Sequence, residues 1–133
     1  ARLQRKAQGK LRVVVLHEGW AVPHPEERTQ LGIAAGQRAW IREVQLRCND
    51  VVWVQARSIL PRTSLIGMGR RLTRLGNQSL GSVLFRNPHL VRGDIACAQL
   101  LLRNQLCWAR RSRLSVHGHP VLVAEAFLPA LLD

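Results

Sequence analysis

Residues 40–60 carry the clearest structural signal in the chain, and they read WIREVQLRC (40–48), ND (49–50) and VVWVQARSIL (51–60). Over residues 40–48, apolar and polar side chains alternate with a period of two, which is typical of a half-buried strand. Asn49-Asp50 is a favoured two-residue turn, so residues 51–60 are predicted to return as an antiparallel strand. This hairpin predicts a fold based on an antiparallel sheet.

An arginine interrupts the apolar face of the first predicted strand. Arg42 shares that face with Trp40 and Val44, and a guanidinium keeps its charge, so it needs an anionic partner. In a regular hairpin residue 48 pairs with 51, 46 with 53 and 42 with 57, which sets Arg42 opposite Arg57. Like charges directly opposite destabilise a sheet. We therefore predict a dianionic ligand between the two arginines, unless acidic residues hold each one. The candidate acidic residues are Glu18, Glu43 and Asp94.

Further strands and short helices are predicted on both sides of the hairpin. Strands are predicted over residues 11–18, 91–99, 108–117 and 121–128, with a turn at 117–120, while residues 100–106 fit a strand or a helix equally. Helices are predicted over 63–75 and 80–85, the second capped by Ser79. Residues 2–8 resemble the end of a helix that stops at Gly9. Residues 19–37 contain five Pro or Gly residues and are predicted to form a long loop.

These elements predict one domain of the α+β class over residues 1–133, with a single antiparallel sheet of about six strands and inserted helical flaps. The chain is 47% hydrophobic and has no apolar run long enough to span a membrane. Its three cysteines lack CxxC spacing, which indicates a reducing cytoplasm. Its five histidines lack metal-ligand spacing, so no metal site is predicted.

The net charge of +12 indicates either an anionic partner or a general preference for surface arginine. The anionic partner could be a nucleic acid, an acidic membrane or a small polyanion. The two predicted helices form a hairpin like that of DNA-binding proteins, but the second offers only Arg86 to contact bases. Nucleic-acid binding is therefore not favoured.

Glu125 is the only polar residue of the last predicted strand, which is apolar on both faces. A buried carboxylate either pairs with a cation or stays protonated. Across the hairpin its neighbour is Arg110, Arg111 or Ser112, depending on the turn. Glu125 is therefore either half of a structural pair with Arg110, or a pocket carboxyl that binds a ligand hydroxyl or transfers a proton.

The order and spacing of several motifs resemble those of the chorismate pyruvate-lyase family over nearly the whole chain. The matching segments include WIREV (40–44), ARS (56–58), SLG (79–81), RRSRL (110–114) and EAFLPA (125–130). The resemblance implies a six-stranded antiparallel sheet with helical flaps over a buried site. It also implies conversion of chorismate to 4-hydroxybenzoate and pyruvate for ubiquinone biosynthesis.

The resemblance implies roles for four residues. Arg42 and the backbone of Leu80 would bind the ring carboxylate, and Glu125 would contact the ring oxygen that becomes the phenol. Arg57 would lie near the enolpyruvyl carboxylate or the exit route, so Glu125 and Arg57 are the candidate catalytic residues. The family's N-terminal helical segment is expected to be largely missing, and Ala56 replaces a glycine that precedes this arginine in a known member.

The resemblance also implies a cytoplasmic monomer that uses no metal or cofactor and binds neither nucleic acid nor membrane. The alternative is a noncatalytic domain of the same fold that binds a small aromatic acid as an effector. Such domains normally follow a DNA-binding domain in bacterial regulators.

Overall fold

The structure, a computed structural model, describes residues 11–68, 70–102 and 104–129. It contains six strands, which are β1 (Leu11–Ala21), β2 (Ala39–Cys48), β3 (Val51–Leu60), β4 (Leu90–Leu102), β5 (Gln105–Val116) and β6 (His119–Phe127). The helices are α1 (Pro25–Leu31), α2 (Arg62–Met68), a 3-10 helix (Arg70–Thr73) and α3 (Leu80–Phe85). The helix predicted over residues 2–8 and the end of the EAFLPA motif, at residue 130, lie outside the described residues.

All six strands form one antiparallel sheet in the order β1-β2-β3-β6-β5-β4. This confirms the predicted α+β class. Residues of α2, the 3-10 helix and α3 pack on one face, in a core that includes Leu60, Leu80 and Val123. Leu31 at the end of α1 packs on the other face, against Ile41 and Ile59. Helices therefore pack on both faces of the sheet, although β4 is exposed along most of its length, and each face can hold a site.

The predicted hairpin is confirmed, but its register is not. Asn49 and Asp50 have positive φ angles of 51° and 65°, and Cys48 pairs with Val51, as expected for the two-residue turn. Beyond Arg47 a β-bulge leaves Trp53 as an extra residue, so Leu46 pairs with Val54. A shift of one residue moves every later side chain to the other face.

The consequence is that the predicted pair of Arg42 with Arg57 is wrong. Arg42 pairs with Ser58, and Arg57 pairs with Glu43. Because directly opposed residues share a face and neighbouring residues do not, the two arginines point to opposite faces of the sheet.

A second bulge, in β1, sets the carboxylate of Glu18 opposite Arg42. Val15 pairs with Val44 but His17 pairs with Glu43, which leaves Leu16 as the extra residue. Without it, His17 would lie opposite Arg42; with it, Glu18 does. Bulges often occur near active sites for this reason, because one extra residue redirects all the side chains that follow.

The predicted loop over residues 19–37 is wrong at its start and in its middle, because β1 extends to Ala21 and α1 covers Pro25–Leu31. Proline is favoured in the first turn of a helix, where its missing N–H is not needed. Glu27 accepts a hydrogen bond from the backbone N–H of His24 at 2.8 Å, and Gly32 ends the helix with a φ of 68°. These caps explain how a segment with two prolines holds a regular turn.

The flap helices follow the sequence prediction with one break. The predicted helix over 63–75 is divided into α2 and the 3-10 helix, and α3 matches the prediction, with Ser79 as its N-cap. Ser64 Oγ donates to Pro120 O at 2.6 Å, which fastens α2 to the start of β6. A Cβ on Gly67 would lie 2.3 Å from the ring of His119, so a larger residue here would displace that ring.

Candidate active site

A small cavity of about 100 Å³ lies between the sheet and α3. Its floor comes from one face of β2, β3, β4, β5 and β6, and its roof comes from Leu80 and its neighbours at the start of α3. Arg42, Leu80 and Glu125, three of the four predicted site residues, line this cavity. The walls are otherwise mainly apolar. They include Val44, Leu46, Val54, Leu114 and Val123.

Arg42 is the largest fully buried side chain among the described residues, with 2% of its surface exposed. Its Nη1 donates to Glu18 Oε2 at 2.7 Å. Its Nη2 donates to the backbone oxygens of Gly76 and Gln78, at 2.8 and 2.9 Å. Arg42 therefore ties the central sheet to the loop that leads into α3.

These bonds use three of the five N–H groups of the guanidinium. A carboxylate binds in two-pronged fashion along an edge of the guanidinium plane. Both such edges include Nη2, whose two N–H groups are held by the loop carbonyls. A carboxylate that binds Arg42 in this way must therefore displace at least one loop carbonyl.

Glu125 pairs with Arg110, as one of the sequence readings predicted. Arg110 Nη2 and Nε donate to Glu125 Oε1 at 2.7 and 3.2 Å. No donor from the described residues is bonded to Glu125 Oε2, and a quarter of the side chain is exposed. The carboxylate is thus held in orientation by one oxygen while the other can accept a hydrogen bond from a ligand.

Arg57 lies on the opposite face, among acidic residues. Its Nε and Nη2 donate to the two carboxylate oxygens of Glu27 at 2.7 and 2.9 Å, and its Nη1 donates to Glu43. Burial alone would raise the pKa of Glu27, but the hydrogen bonds from Arg57 and from the His24 N–H outweigh it, so the pKa lies below its usual value. The hydrogen bond to Glu27 raises the pKa of Arg57 despite burial.

The Arg57 face also has a cavity, which is larger, at about 630 Å³. Arg57, Glu43, Glu26 and Arg111 line it, and Glu125 and Arg110 line both this cavity and the smaller one. Its size does not make it the better site for an anion, because Arg57 has two carboxylates within hydrogen-bonding distance and this group of three is net negative.

The sequence predicted the buried arginine and two kinds of partner for it, an anionic ligand or an acidic side chain. The structure favours ion pairing, with Glu18 for Arg42 and Glu43 for Arg57. The sequence analysis missed Glu27 as a partner of Arg57. The signal for it was the sequence Pro25-Glu26-Glu27, which is a common helix start. The carbonyls of Gly76 and Gln78 were missed too, since any sequence supplies backbone carbonyls.

The described residues offer neither a metal site nor a membrane-spanning helix. No group of three His, Cys, Asp or Glu residues is placed to hold a metal ion. No helix there is long and apolar enough to cross a membrane.

Residues 1–133 match the family model described as chorismate lyase. The chain belongs to this family. It is 44% identical over 124 residues to the chorismate pyruvate-lyase of Pectobacterium atrosepticum, covering 90% of this chain and 66% of that one. It is 41% identical over 131 residues to a protein named probable chorismate pyruvate-lyase from Marinobacter nauticus, covering 97% of this chain and 70% of that one.

The fold of this chorismate lyase family member also occurs in regulators. The C-terminal domain of the histidine utilization repressor from Pseudomonas syringae pv. tomato has a TM-score of 0.72 at 12% identity, covering 90% of this chain and 92% of that one. A GntR-family transcriptional regulator from Enterococcus faecalis has a TM-score of 0.68 at 12% identity, covering 91% and 96%. At such identity the likeness shows the fold alone.

Proposed function

We propose that this chain, a chorismate pyruvate-lyase, converts chorismate to 4-hydroxybenzoate and pyruvate in the cavity lined by Arg42, Leu80 and Glu125. The observation that carries the proposal is the burial of Arg42 in an apolar cavity beside a carboxylate with a free oxygen. The family relationship supports the activity. The resemblance to this family implies that the product, 4-hydroxybenzoate, is used in ubiquinone biosynthesis.

The charge of the cavity suits a dianion such as chorismate. Arg42, Arg92 and Arg110 supply three positive charges, and their neighbours Glu18 and Glu125 supply two negative ones. We assign the ring carboxylate to Arg42, with the backbone N–H of Leu80 as a second donor, because first-turn N–H groups have no acceptor within their helix.

The enolpyruvyl carboxylate needs a second cation on the same face. Arg57 was predicted for this role, and that remains a prediction, but its position on the opposite face does not support it. Arg110 is already paired with Glu125. Arg92 lies over the Phe85 ring at 4.7 Å and pairs with no described carboxylate, so we propose Arg92 for this carboxylate.

The reaction needs little chemistry from the protein. The C–O bond to the enolpyruvyl group breaks and one ring hydrogen leaves as a proton, which makes the ring aromatic. The released enolpyruvate takes up a proton at its methylene carbon and becomes pyruvate. The residues mainly fix a reactive conformer and exclude water. We propose that Glu125 Oε2 holds the ring hydroxyl or transfers a proton.

The cavity must open for substrate to enter. Its volume of about 100 Å³ is well below the roughly 300 Å³ at which ligand pockets usually begin. Opening and carboxylate binding are coupled in this proposal, because both involve release of Arg42 Nη2 from the carbonyls of Gly76 and Gln78. The loop would close again over the ring.

The test is incubation with chorismate, with chromatography for 4-hydroxybenzoate and a coupled assay for pyruvate. Equal amounts of both products above the uncatalysed background would support the proposal. Binding of 4-hydroxybenzoate without turnover would instead favour the effector-binding alternative. That alternative is not favoured now, because the relatives at about 40% identity bear the lyase name, whereas the regulators share only the fold.

A cytoplasmic, monomeric enzyme that binds neither nucleic acid nor membrane is part of the same proposal. Cys48 and Cys107 are buried as free thiols, which supports a reducing compartment. Sedimentation velocity tests the monomer, and a sedimenting species of twice the mass would contradict it.

A further inference from the structure

A second concave surface carries three arginines and no acidic residue. It has a volume of about 530 Å³ and lies on the outer side of the flap helices. Arg71 and Arg74 enter it from the 3-10 helix and the residue after it, and Arg86 enters it from the end of α3. We call it the flap cavity. The rest of its lining consists of Leu75, Gln78, Val83, Asn87 and Pro88.

The three arginines have no counter-charge among the described residues. Every ion pair found there involves other cations, such as Arg42 with Glu18 and Arg110 with Glu125. Three like charges around one concavity repel one another, and a bound anion would offset that repulsion. The side chains are exposed, so an anion from solution can reach them.

We propose that the flap cavity binds a small polyanion with two linked phosphate groups. A phosphate group carries about −1.5 to −2 charges at pH 7, so two of them match three guanidiniums, whereas a single carboxylate would not. Guanidinium forks fit phosphate oxygens in two-pronged fashion. The amides of Gln78 and Asn87 add donors, and the volume admits a ligand larger than diphosphate itself.

The flap cavity is connected to the active site through Gln78. Gln78 lines the flap cavity, and its backbone oxygen accepts a hydrogen bond from Arg42 on the inner side. A polyanion that links the 3-10 helix to the end of α3 would hold the intervening loop in place. It would therefore slow loop opening and product release. This consequence rests on the proposed function, but the binding itself does not.

The test is calorimetry with sodium pyrophosphate at fixed ionic strength. We expect saturable one-to-one binding that the double variant Arg71→Gln/Arg74→Gln weakens by about tenfold or more, since each lost charge-assisted contact is worth roughly tenfold. The matched control is Arg38→Gln/Arg62→Gln, which removes the same charge from another exposed concavity. It should bind pyrophosphate like the parent chain.

Equal weakening in both double variants would overturn the proposal, because it would mean a response to net charge alone. Absence of pyrophosphate binding would overturn it too, and binding of a short oligonucleotide in its place would point to nucleic acid. Far-ultraviolet circular dichroism shows whether the variants are folded. The assay contains no chorismate, so its result is independent of the lyase activity.

Discussion

The two faces of the sheet each hold a buried or half-buried arginine, and the two differ in what neutralises it. Arg57 is paired with two carboxylates, those of Glu27 and Glu43. Arg42 is held by one carboxylate and two backbone carbonyls of a loop. An incoming anion would have to compete with two formal charges at Arg57 but only with dipoles at one edge of Arg42. We therefore propose that Arg57 stabilises the fold and that Arg42 binds the ligand.

The largest effect is expected from Arg42→Ala. The change removes the proposed carboxylate partner and leaves Glu18 and two carbonyls without their donor. We expect turnover of chorismate to fall by about 100-fold or more and the free energy of unfolding to fall by about 3 kcal/mol. Single-turnover kinetics and urea unfolding measure the two effects. Full activity in a folded Arg42→Ala chain would remove Arg42 from the site.

Glu125→Gln is expected to have the next largest effect. The amide keeps the shape and one acceptor but cannot titrate. If Glu125 transfers a proton, turnover falls by about 100-fold or more and its pH dependence loses one limb. If Glu125 only orients the ring, turnover falls by about tenfold or less and the pH profile keeps its shape. A pH profile of kcat distinguishes these results, and unchanged turnover would contradict both roles.

Arg57→Ala tests the other face. It leaves Glu27, whose side chain is 10% exposed, without its partner, so we expect the free energy of unfolding to fall by about 2–4 kcal/mol. Activity per folded molecule should stay within about threefold of the parent chain, a change of under 1 kcal/mol. Urea unfolding and active-site titration with product measure these quantities. A loss of turnover without a loss of stability would restore the predicted catalytic role of Arg57.

A smaller effect is expected from Glu18→Gln, which keeps an acceptor for Arg42 but removes its counter-charge. We expect the free energy of unfolding to fall by about 1–3 kcal/mol and the affinity for 4-hydroxybenzoate to change measurably. Glu43→Gln is the matched control on the Arg57 face, and it should leave that affinity unchanged. Equal changes in both variants would mean that the two faces are not distinct.

The smallest effect is a pH dependence. Because the folded state holds the pKa of Glu27 below its usual value, this carboxylate stabilises the fold above a pH of about 4.5 and the contribution is lost as the pH falls through the lowered pKa. Urea unfolding measures the free energy of unfolding at pH 7 and at pH 3. The difference between these two values should be smaller in Glu27→Gln than in the parent chain. The control is Glu26→Gln, whose side chain is 84% exposed; an equal narrowing there would contradict the assignment.

The sequence predicted the hairpin because alternation and a two-residue turn are local signals. It predicted Arg42 as a buried charge and Arg110 as one partner of Glu125 for the same reason. It could not predict the faces of Arg42 and Arg57, because one extra residue at Trp53 reverses the pattern after it. Trp53 packs with Cys48 and Val54 in a small core, and such packing depends on distant strands.

The same limit applies to Glu18. Its place opposite Arg42 depends on the bulge at Leu16, and no turn residue or glycine in the sequence marks that bulge. Helix α1 was missed for a different reason. Its prolines were read as breakers, although a proline in the first turn favours a helix when an acidic residue caps it.

We propose that the Arg42 face binds the aromatic acid and the Arg57 face does not. Calorimetry with 4-hydroxybenzoate on the parent chain, Arg42→Lys and Arg57→Lys tests it most directly, because lysine keeps the charge and removes the fork. We expect Arg42→Lys to weaken binding by about tenfold or more and Arg57→Lys to leave it unchanged. Weakening by Arg57→Lys with normal binding in Arg42→Lys would contradict it.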